Sequence, residues 1–255
     1  MSDPILAPNQ EAFLAHIRAR LANSRQSPHP GGFPARAQAA GDVPRAGAAR
    51  RALIDRFVAE LTAVGGHAER IGQPGDLAVY LRRLAESADR KLAVREDDPR
   101  WREPQGAPWL AALAGSGLEV VTASAARATL AAADIGITWA DWGIAETGTL
   151  VQLTGPGRAR TVSLLPPVHV ALLPAERILA QRSELMRILR ESGPSGLLPS
   201  QVVLITGPSR TGDIENDLTI GVHGPGEVHV LIIGSEADTA ETATGPCGDG
   251  EAAPW

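Results

Sequence analysis

Between Leu53 and Val64 apolar residues recur every three or four positions, at Leu53, Ile54, Phe57, Val58, Leu61 and Val64, while Asp55, Arg56 and Glu60 fall outside that arc. This is the period of an amphipathic helix with one buried face, and Gly65-Gly66 supplies its stop. The pattern marks the start of the folded part of the chain, expected to run from 47 to 234. Upstream, Phe13, Leu14, Ile17 and Leu21 describe a short helix over 9–23. The stretch 24–46, rich in Pro, Gly, Ala and Ser, reads as a flexible linker, so 1–46 is expected to be a helix on a tether.

After Gly66 short segments alternate: a strand over 67–71, a helix over 76–87, a strand over 91–95, a helix around 109–114 and a strand over 118–122. Alternation of this kind predicts an α/β fold, a mostly parallel sheet flanked by helices. Strand-like runs then crowd together at 135–139, 149–153, 161–165 and 168–173, with turn signals at Gly155-Pro156-Gly157 and Pro166-Pro167, which predicts hairpins or a sheet extension. A long helix is expected over 175–191, then strands over 202–205 and 228–233. In that helix Arg182 falls within the stripe of Ile178, Leu179, Leu185, Met186 and Leu189, the pattern of an arginine snorkelling from a helix or subunit contact, with a ligand clamp as the alternative. Residues 235–255 are polar, acidic and rich in Gly and Pro, and are expected to be disordered.

Composition narrows the partners. The 255 residues are 44% hydrophobic, enough for one full core, and a net charge of −5 supplies no broad cationic field for duplex nucleic acid or an anionic membrane. Any anion must therefore be bound locally. The 24 basic residues are Arg throughout except for Lys91, which reads as a coding bias and weakens arguments from an isolated Arg. With Cys247 as the one cysteine, disulfides, Cys-ligated zinc and Cys-ligated iron-sulfur clusters within this chain are excluded. The chain shows no secretory leader and no apolar run near the ~20 residues of a membrane span, so a cytoplasmic protein is expected.

Three segments could carry chemistry. The apolar run 202–205 leads directly into Thr206-Gly207-Pro208-Ser209-Arg210-Thr211-Gly212-Asp213-Ile214-Glu215. A buried strand ending in such a loop is how α/β proteins build an anion site at a sheet's carboxyl edge. Amides of Gly207, Ser209 and Gly212, with side chains of Ser209, Arg210 and Thr211, are the candidate ligands of a phosphate or carboxylate, and Asp213 and Glu215 would open a helix. A plain strand-to-helix turn, capped by Thr211 with Arg210 paired to Glu215, is the alternative. No Gly-Lys-Ser/Thr follows, so the loop is not a nucleotide P-loop.

In the second segment Glu146 stands between small residues ahead of an apolar strand, where partial desolvation would raise its pKa toward that of a general base or nucleophile. The alternative is a carboxylate accepting hydrogen bonds from turn amides. Trp139 and Trp142 read as core. The third segment, Gly221-Val222-His223-Gly224-Pro225-Gly226, offers His223 as a proton shuttle or donor to a ligand, or as a structural loop residue. His169, His223, His229 and Glu227 follow no metal signature, and no metal site is expected. Arg158 and Arg160, after Gly155-Pro156-Gly157, read as a solvated turn, with a second anion contact as the weaker alternative. No motif specifies a cofactor.

Taken in order, Gly143-Ile144-Ala145-Glu146-Thr147-Gly148-Thr149-Leu150, Leu165-Pro166-Pro167-Val168-His169, the 207–215 loop and Gly221–Gly226 resemble the lactate-utilization protein C family, the LUD domain, over roughly residues 47 to 234. The resemblance implies a fold like that of glucosamine-6-phosphate isomerase (NagB), ribose-5-phosphate isomerase (RpiA) and the coenzyme A transferases. It also implies a role in oxidising L-lactate to pyruvate beside two iron-sulfur companion proteins, with this chain as a non-redox accessory subunit that binds a small organic or phosphorylated anion. A stand-alone CoA transferase or sugar-phosphate isomerase using Glu146 is the alternative, by analogy of fold, although no Glu-Asn-Gly signature is present.

Overall fold

The computed structural model describes residues 47–155, 157–192, 199, 201–212 and 218–234, together with Ala15 and Ala19. The chain divides into two compact units, Met1–Gly41 and Asp42–Trp255. Of the first, Ala15 and Ala19 are helical and exposed; the remainder of the helix expected over 9–23, the linker and the tail 235–255 lie outside the described residues.

The second unit is built on a six-stranded sheet in which every neighbouring pair is parallel. Its strands are β1 (His67–Ile71), β2 (Leu92–Arg95), β3 (Glu119–Thr122), β4 (Ile135–Trp139), β7 (Val168–Pro174) and β12 (Glu227–Ile233), in the order β1-β12-β7-β4-β2-β3. Strands buried on both faces read as unbroken apolar runs. In β7, Val168, Val170 and Leu172 enter one core while Ala171 and Leu173 enter the other.

Helix α1 (Gly47–Ala63) covers one face with Leu53, Phe57 and Leu61, the four-residue spacing seen in the sequence. The other face carries α2 (Pro74–Glu86) and α3 (Ala107–Leu113), which bring Leu77, Leu81, Trp109 and Leu113 into a core with Ile135, Ile137 and Val170. Pro74 opens α2, and the Asp76 carboxylate accepts from the amides of Gly72 and Gln73, two donors that the first turn would leave unpaired.

A second sheet lies on the α1 side, in the order β8-β5-β6-β9. It is formed by β5 (Trp142–Ile144), β6 (Thr149–Thr154), β8 (Ile178–Leu179) and β9 (Gln201–Ile205), with β5–β6 and β6–β9 antiparallel. Of the four runs expected to form hairpins or a sheet extension, 149–153 lies here, whereas 135–139 and 168–173 are β4 and β7 of the parallel sheet. A two-stranded ribbon, β10 (Arg210–Gly212) and β11 (Leu218–Ile220), follows it. Helix α4 (Arg127–Ala131) precedes β4.

Three expectations are corrected. The predicted strand over 161–165 is a short helix, α5 (Thr161–Leu164). Gly136 on β4 has no side chain to hold the segment off, and a Cβ there would lie 1.8 Å from the Val162 carbonyl oxygen, so α5 seats its backbone on the sheet. The long helix over 175–191 is divided into a 3₁₀ turn at Ala175–Arg177, then β8, then α6 (Arg182–Ser192). Pairing of Ile178 and Leu179 with Gly143 and Ile144 buries both side chains, a non-local gain that overrides local helix propensity. Arg182 therefore opens α6, exposed and outside any apolar stripe. Finally, β9 is an edge strand of the small sheet, with Leu204 exposed, and not a buried strand of the parallel sheet.

Candidate functional site

The segments singled out in the sequence do meet, at the amino end of the parallel sheet. The Glu146 turn joins the loop after β9 through hydroxyls: Thr147 Oγ1 lies 2.7 Å from Thr149 Oγ1, which lies 2.8 Å from Thr206 Oγ1. The Ser209 amide donates to Pro225 O at 2.8 Å and Gly221 N donates to Ser209 O at 2.9 Å, tying the 207–212 loop to the 221–226 loop. Gly226 N in turn donates to Pro167 O at 2.9 Å.

Many of the polar groups expected to meet an anion are engaged within the protein. Arg210 Nη2 donates to Val64 O at 2.7 Å, a cation on the carbonyl end of α1, where the helix dipole favours it. Gly212 lies in β10, paired with Leu218, so Thr211 sits in a ribbon and does not cap a helix. Asp213 and Glu215 lie outside the described residues. Glu146 is exposed rather than desolvated, and its Oε2 accepts from the Arg182 amide at 3.3 Å, at the start of α6. His223 is exposed.

The histidines of β7 and β12 separate. His169 opposes Val228 across the strand pair and so faces away from His229. His169 accepts or donates at Nε2 with Thr138 Oγ1 at 2.9 Å, has no partner at Nδ1 among the described residues, and is pushed down to about 4 by burial and then by His229. His229 Nδ1 lies 2.7 Å from Tyr80 Oη and its Nε2 lies 3.2 Å from Glu227, which pairs with Arg90 at 2.6 Å. Burial pushes the Tyr80 hydroxyl up to about 12, so it stays a neutral hydrogen-bonding group. Among the described residues no group of three or more His, Cys, Asp or Glu is placed to hold a metal ion.

The opposite end of the sheet carries a constellation that the sequence reading missed. Strand β2 leads away to β3 on one side, and β4 leads by way of β5, β6 and α5 to β7 on the other, so β2 and β4 flank a topological switch point. At such a point connecting segments splay apart above the carboxyl ends of the strands and leave a crevice, where open α/β sheets bind ligands. Glu96, Asp97 and Asp98 follow β2; Asp141 follows β4; Arg158 comes from the connection after β6. Arg158, expected in a solvated turn, has a side chain only 18% exposed that sits in this network.

The geometry is a ring of four charges. Arg100 Nη2 lies 2.6 Å from Asp98 and 3.4 Å from Asp141, Arg158 Nε lies 2.8 Å from Asp98, and Arg158 Nη2 donates to Asp141. Arg100 also donates through Nη1 to Ala140 O at 3.0 Å, and Asp141 accepts from Leu153 N at 2.6 Å. Glu96 is 4% exposed and accepts from the Trp139 amide, bridging β2 and β4 where they diverge. Burial pushes its carboxyl up to about 7; the Trp139 amide pulls the other way, and Asp98 adds to the rise. Burial also opposes ionisation of Asp98, but hydrogen bonds and charge from Arg100, joined by Arg158, outweigh it and hold that carboxyl below its usual range. The environment thus pushes two neighbouring carboxyls apart, raising Glu96 to about 7 and favouring the anionic form of Asp98.

Fold and site together define an α/β protein with a parallel sheet, a subsidiary mixed sheet and a buried ionisable cluster at the switch point. The sequence profile of the LUD domain matches residues 54–233, and the chain belongs to that family. Curated relatives include lactate utilization protein C of Halalkalibacterium halodurans, 48% identical over 94 residues, which are 36% of this chain and 41% of that one. The protein of the same name from Bacillus subtilis is 37% identical over 102 residues, 40% of this chain and 42% of that one. The matched stretches span under half the length of these two relatives. A solved DUF162 family protein from Deinococcus radiodurans shares the fold, with a TM-score of 0.53 and 21% identity, covering 72% of this chain and 98% of that one. Among the described residues no helix is long and apolar enough to cross a membrane.

Proposed function

We propose that this chain is a cytoplasmic, non-redox subunit of a system that oxidises L-lactate to pyruvate, binding an organic anion while iron-sulfur companion proteins carry the electrons. The observation that supports this reading is the family match over 54–233, in a chain whose one cysteine, Cys247, cannot by itself hold a cluster. Relatives named for lactate utilization supply the substrate class. The amino-end face, where exposed Leu165, Ile220 and Val222 accompany Ser209 and His223, has the mixed apolar and polar character of a surface that meets a companion protein. Glu146, tied to the start of α6, serves there as a structural acceptor and not as a nucleophile.

Deleting the gene in its source organism should abolish growth on L-lactate while sparing growth on glucose. The wild-type gene and a Glu146→Gln version should both restore it. The purified chain alone should reduce no dye with lactate. Undiminished growth of the deletion strain on L-lactate would overturn the reading.

A further inference from the structure

We propose that the organic anion binds at the carboxyl ends of β2 and β4, as a small monocarboxylate held by Arg158, and that Glu96 takes up a proton when it binds. The inference rests on the reading above that this chain binds an organic anion, and it locates the site at the end of the sheet opposite the 207–212 loop.

Three observations converge on this place. The first is topology: the connections that follow the parallel strands β2 and β4 leave toward opposite sides of the sheet, the arrangement in which open α/β sheets bind ligands at their carboxyl edge. The second is unspent donor capacity. Arg158 gives Nη2 to Asp141, but its Nε, 2.8 Å from Asp98, lacks hydrogen-bond alignment, and its Nη1 has no acceptor among the described residues. A guanidinium carries five N–H groups in a fork that matches a carboxylate, and this one uses few of them. The third is a pair of buried indoles. Trp101 and Trp139, 0% and 5% exposed, pack edge to face at 5.3 Å, with the Arg95 and Arg100 guanidiniums 5.9 and 5.8 Å from their respective rings, and neither Nε1–H has a partner among the described residues. Buried donors without acceptors are uncommon and mark places completed by water or ligand.

The charge balance gives the inference a second signature. Around Glu96 stand Arg95 on β2, Asp97 and Asp98 after it, Arg100 and Arg102 on the 3₁₀ turn Pro99–Arg102, Asp141 after β4, and Arg158. In the inner group Asp97, Asp98 and Asp141 are offset by Arg95, Arg100 and Arg158 when Glu96 is protonated. An added carboxylate then makes the group net negative, which disfavours a second anionic charge on Glu96 and draws a proton onto it. Glu96 is thus a residue that balances charge, while Arg158 is the one that grips the ligand.

The test is calorimetric titration of the full chain with sodium L-lactate, sodium pyruvate and inorganic phosphate at pH 7.5, in two buffers of different ionisation enthalpy. We expect L-lactate or pyruvate to bind with net proton uptake. Arg158→Gln should weaken binding tenfold or more, the loss of a charge-assisted pair of hydrogen bonds. Glu96→Gln should still bind but without proton uptake, and Ser209→Ala should match the wild type. If Arg158→Gln fails to fold, the loss of proton uptake in Glu96→Gln carries the test alone. Binding that survives both Arg158→Gln and Glu96→Gln unchanged but is lost in Ser209→Ala would place the anion at the amino end, overturning this inference and leaving the proposed function standing. Wild-type binding without proton uptake, or no wild-type binding of L-lactate or pyruvate, also overturns it; the growth experiment judges the proposed function separately.

Discussion

Gly148 offers a clean test of how the Glu146 turn is packed. Its φ is +60°, and a Cβ at this position would lie 2.2 Å from the Leu61 nitrogen and 2.6 Å from the Glu60 carbonyl carbon. Those are backbone atoms of α1, which have no side-chain rotamer to give. Gly148→Ala therefore carries two costs: left-handed strain of about 1–2 kcal/mol, and an overpacking term of about 1–3 kcal/mol. Gly117 is the control, because its φ is +80° and a Cβ there would meet no atom within 4 Å, so Gly117→Ala carries strain alone. Each substitution recovers about 0.4–1 kcal/mol from a less flexible unfolded chain. The net expectation is a loss of about 1–4.6 kcal/mol for Gly148→Ala and about 0–1.6 kcal/mol for Gly117→Ala. For a domain of this size each kcal/mol moves the melting temperature by about 2–4 °C. Thermal and urea denaturation followed by circular dichroism measures both. Equal losses within about 0.5 kcal/mol would refute the packing of this turn against α1.

Other substitutions test the remaining layers. Phe57→Ala empties a fully buried position between α1 and the sheet and should cost about 3–5 kcal/mol in urea denaturation; a loss under about 1 kcal/mol would mean α1 does not pack there. Tyr80→Phe leaves His229 Nδ1 without its 2.7 Å partner, and should cost about 1–3 kcal/mol while leaving the far-ultraviolet spectrum unchanged. Glu96 predicts a pH dependence. Its carboxyl is raised in the folded state from 4.5 to about 7, so the folded chain holds a proton that the unfolded chain releases between those values. Stability is unaffected by this group at low pH and falls as pH rises from about 4.5 to about 7, by about 3 kcal/mol in all. The stability difference between Glu96→Gln and wild type, followed from about pH 4 to 8, should shift in favour of the variant by about that much; a flat difference would show that Glu96 ionises normally. His169, lowered to about 4, acts oppositely, losing stability as pH falls from about 6.5 toward 4, and cancels from that difference.

What the sequence determined by itself were the features set by local period and composition. The Leu53, Phe57 and Leu61 stripe specifies α1, and the apolar runs of β7 and β12 specify buried strands, because both patterns follow from the geometry of one element and its burial; their place at the centre of the parallel sheet came from strand order. The four motifs that resemble the LUD domain were legible for the same reason, each being a short contiguous run. Tertiary structure decided what depends on distant partners. Helix α5 forms where a strand was expected because Gly136 lets its backbone approach, and β8 exists because Gly143 and Ile144 are there to pair with it. The loop after β9 lies at the amino end because β9 pairs with β6 and not with the main sheet, a choice that local pattern cannot express. Glu96, Asp98, Asp141 and Arg158 form one network only once β2 and β4 lie side by side. One signal was available: Glu96-Asp97-Asp98 directly follows an apolar strand, and Asp141 follows another, placing acids at the carboxyl ends of two predicted parallel strands. Strand order alone shows that those two ends are neighbours at a switch point, and strand order is a property of the folded sheet.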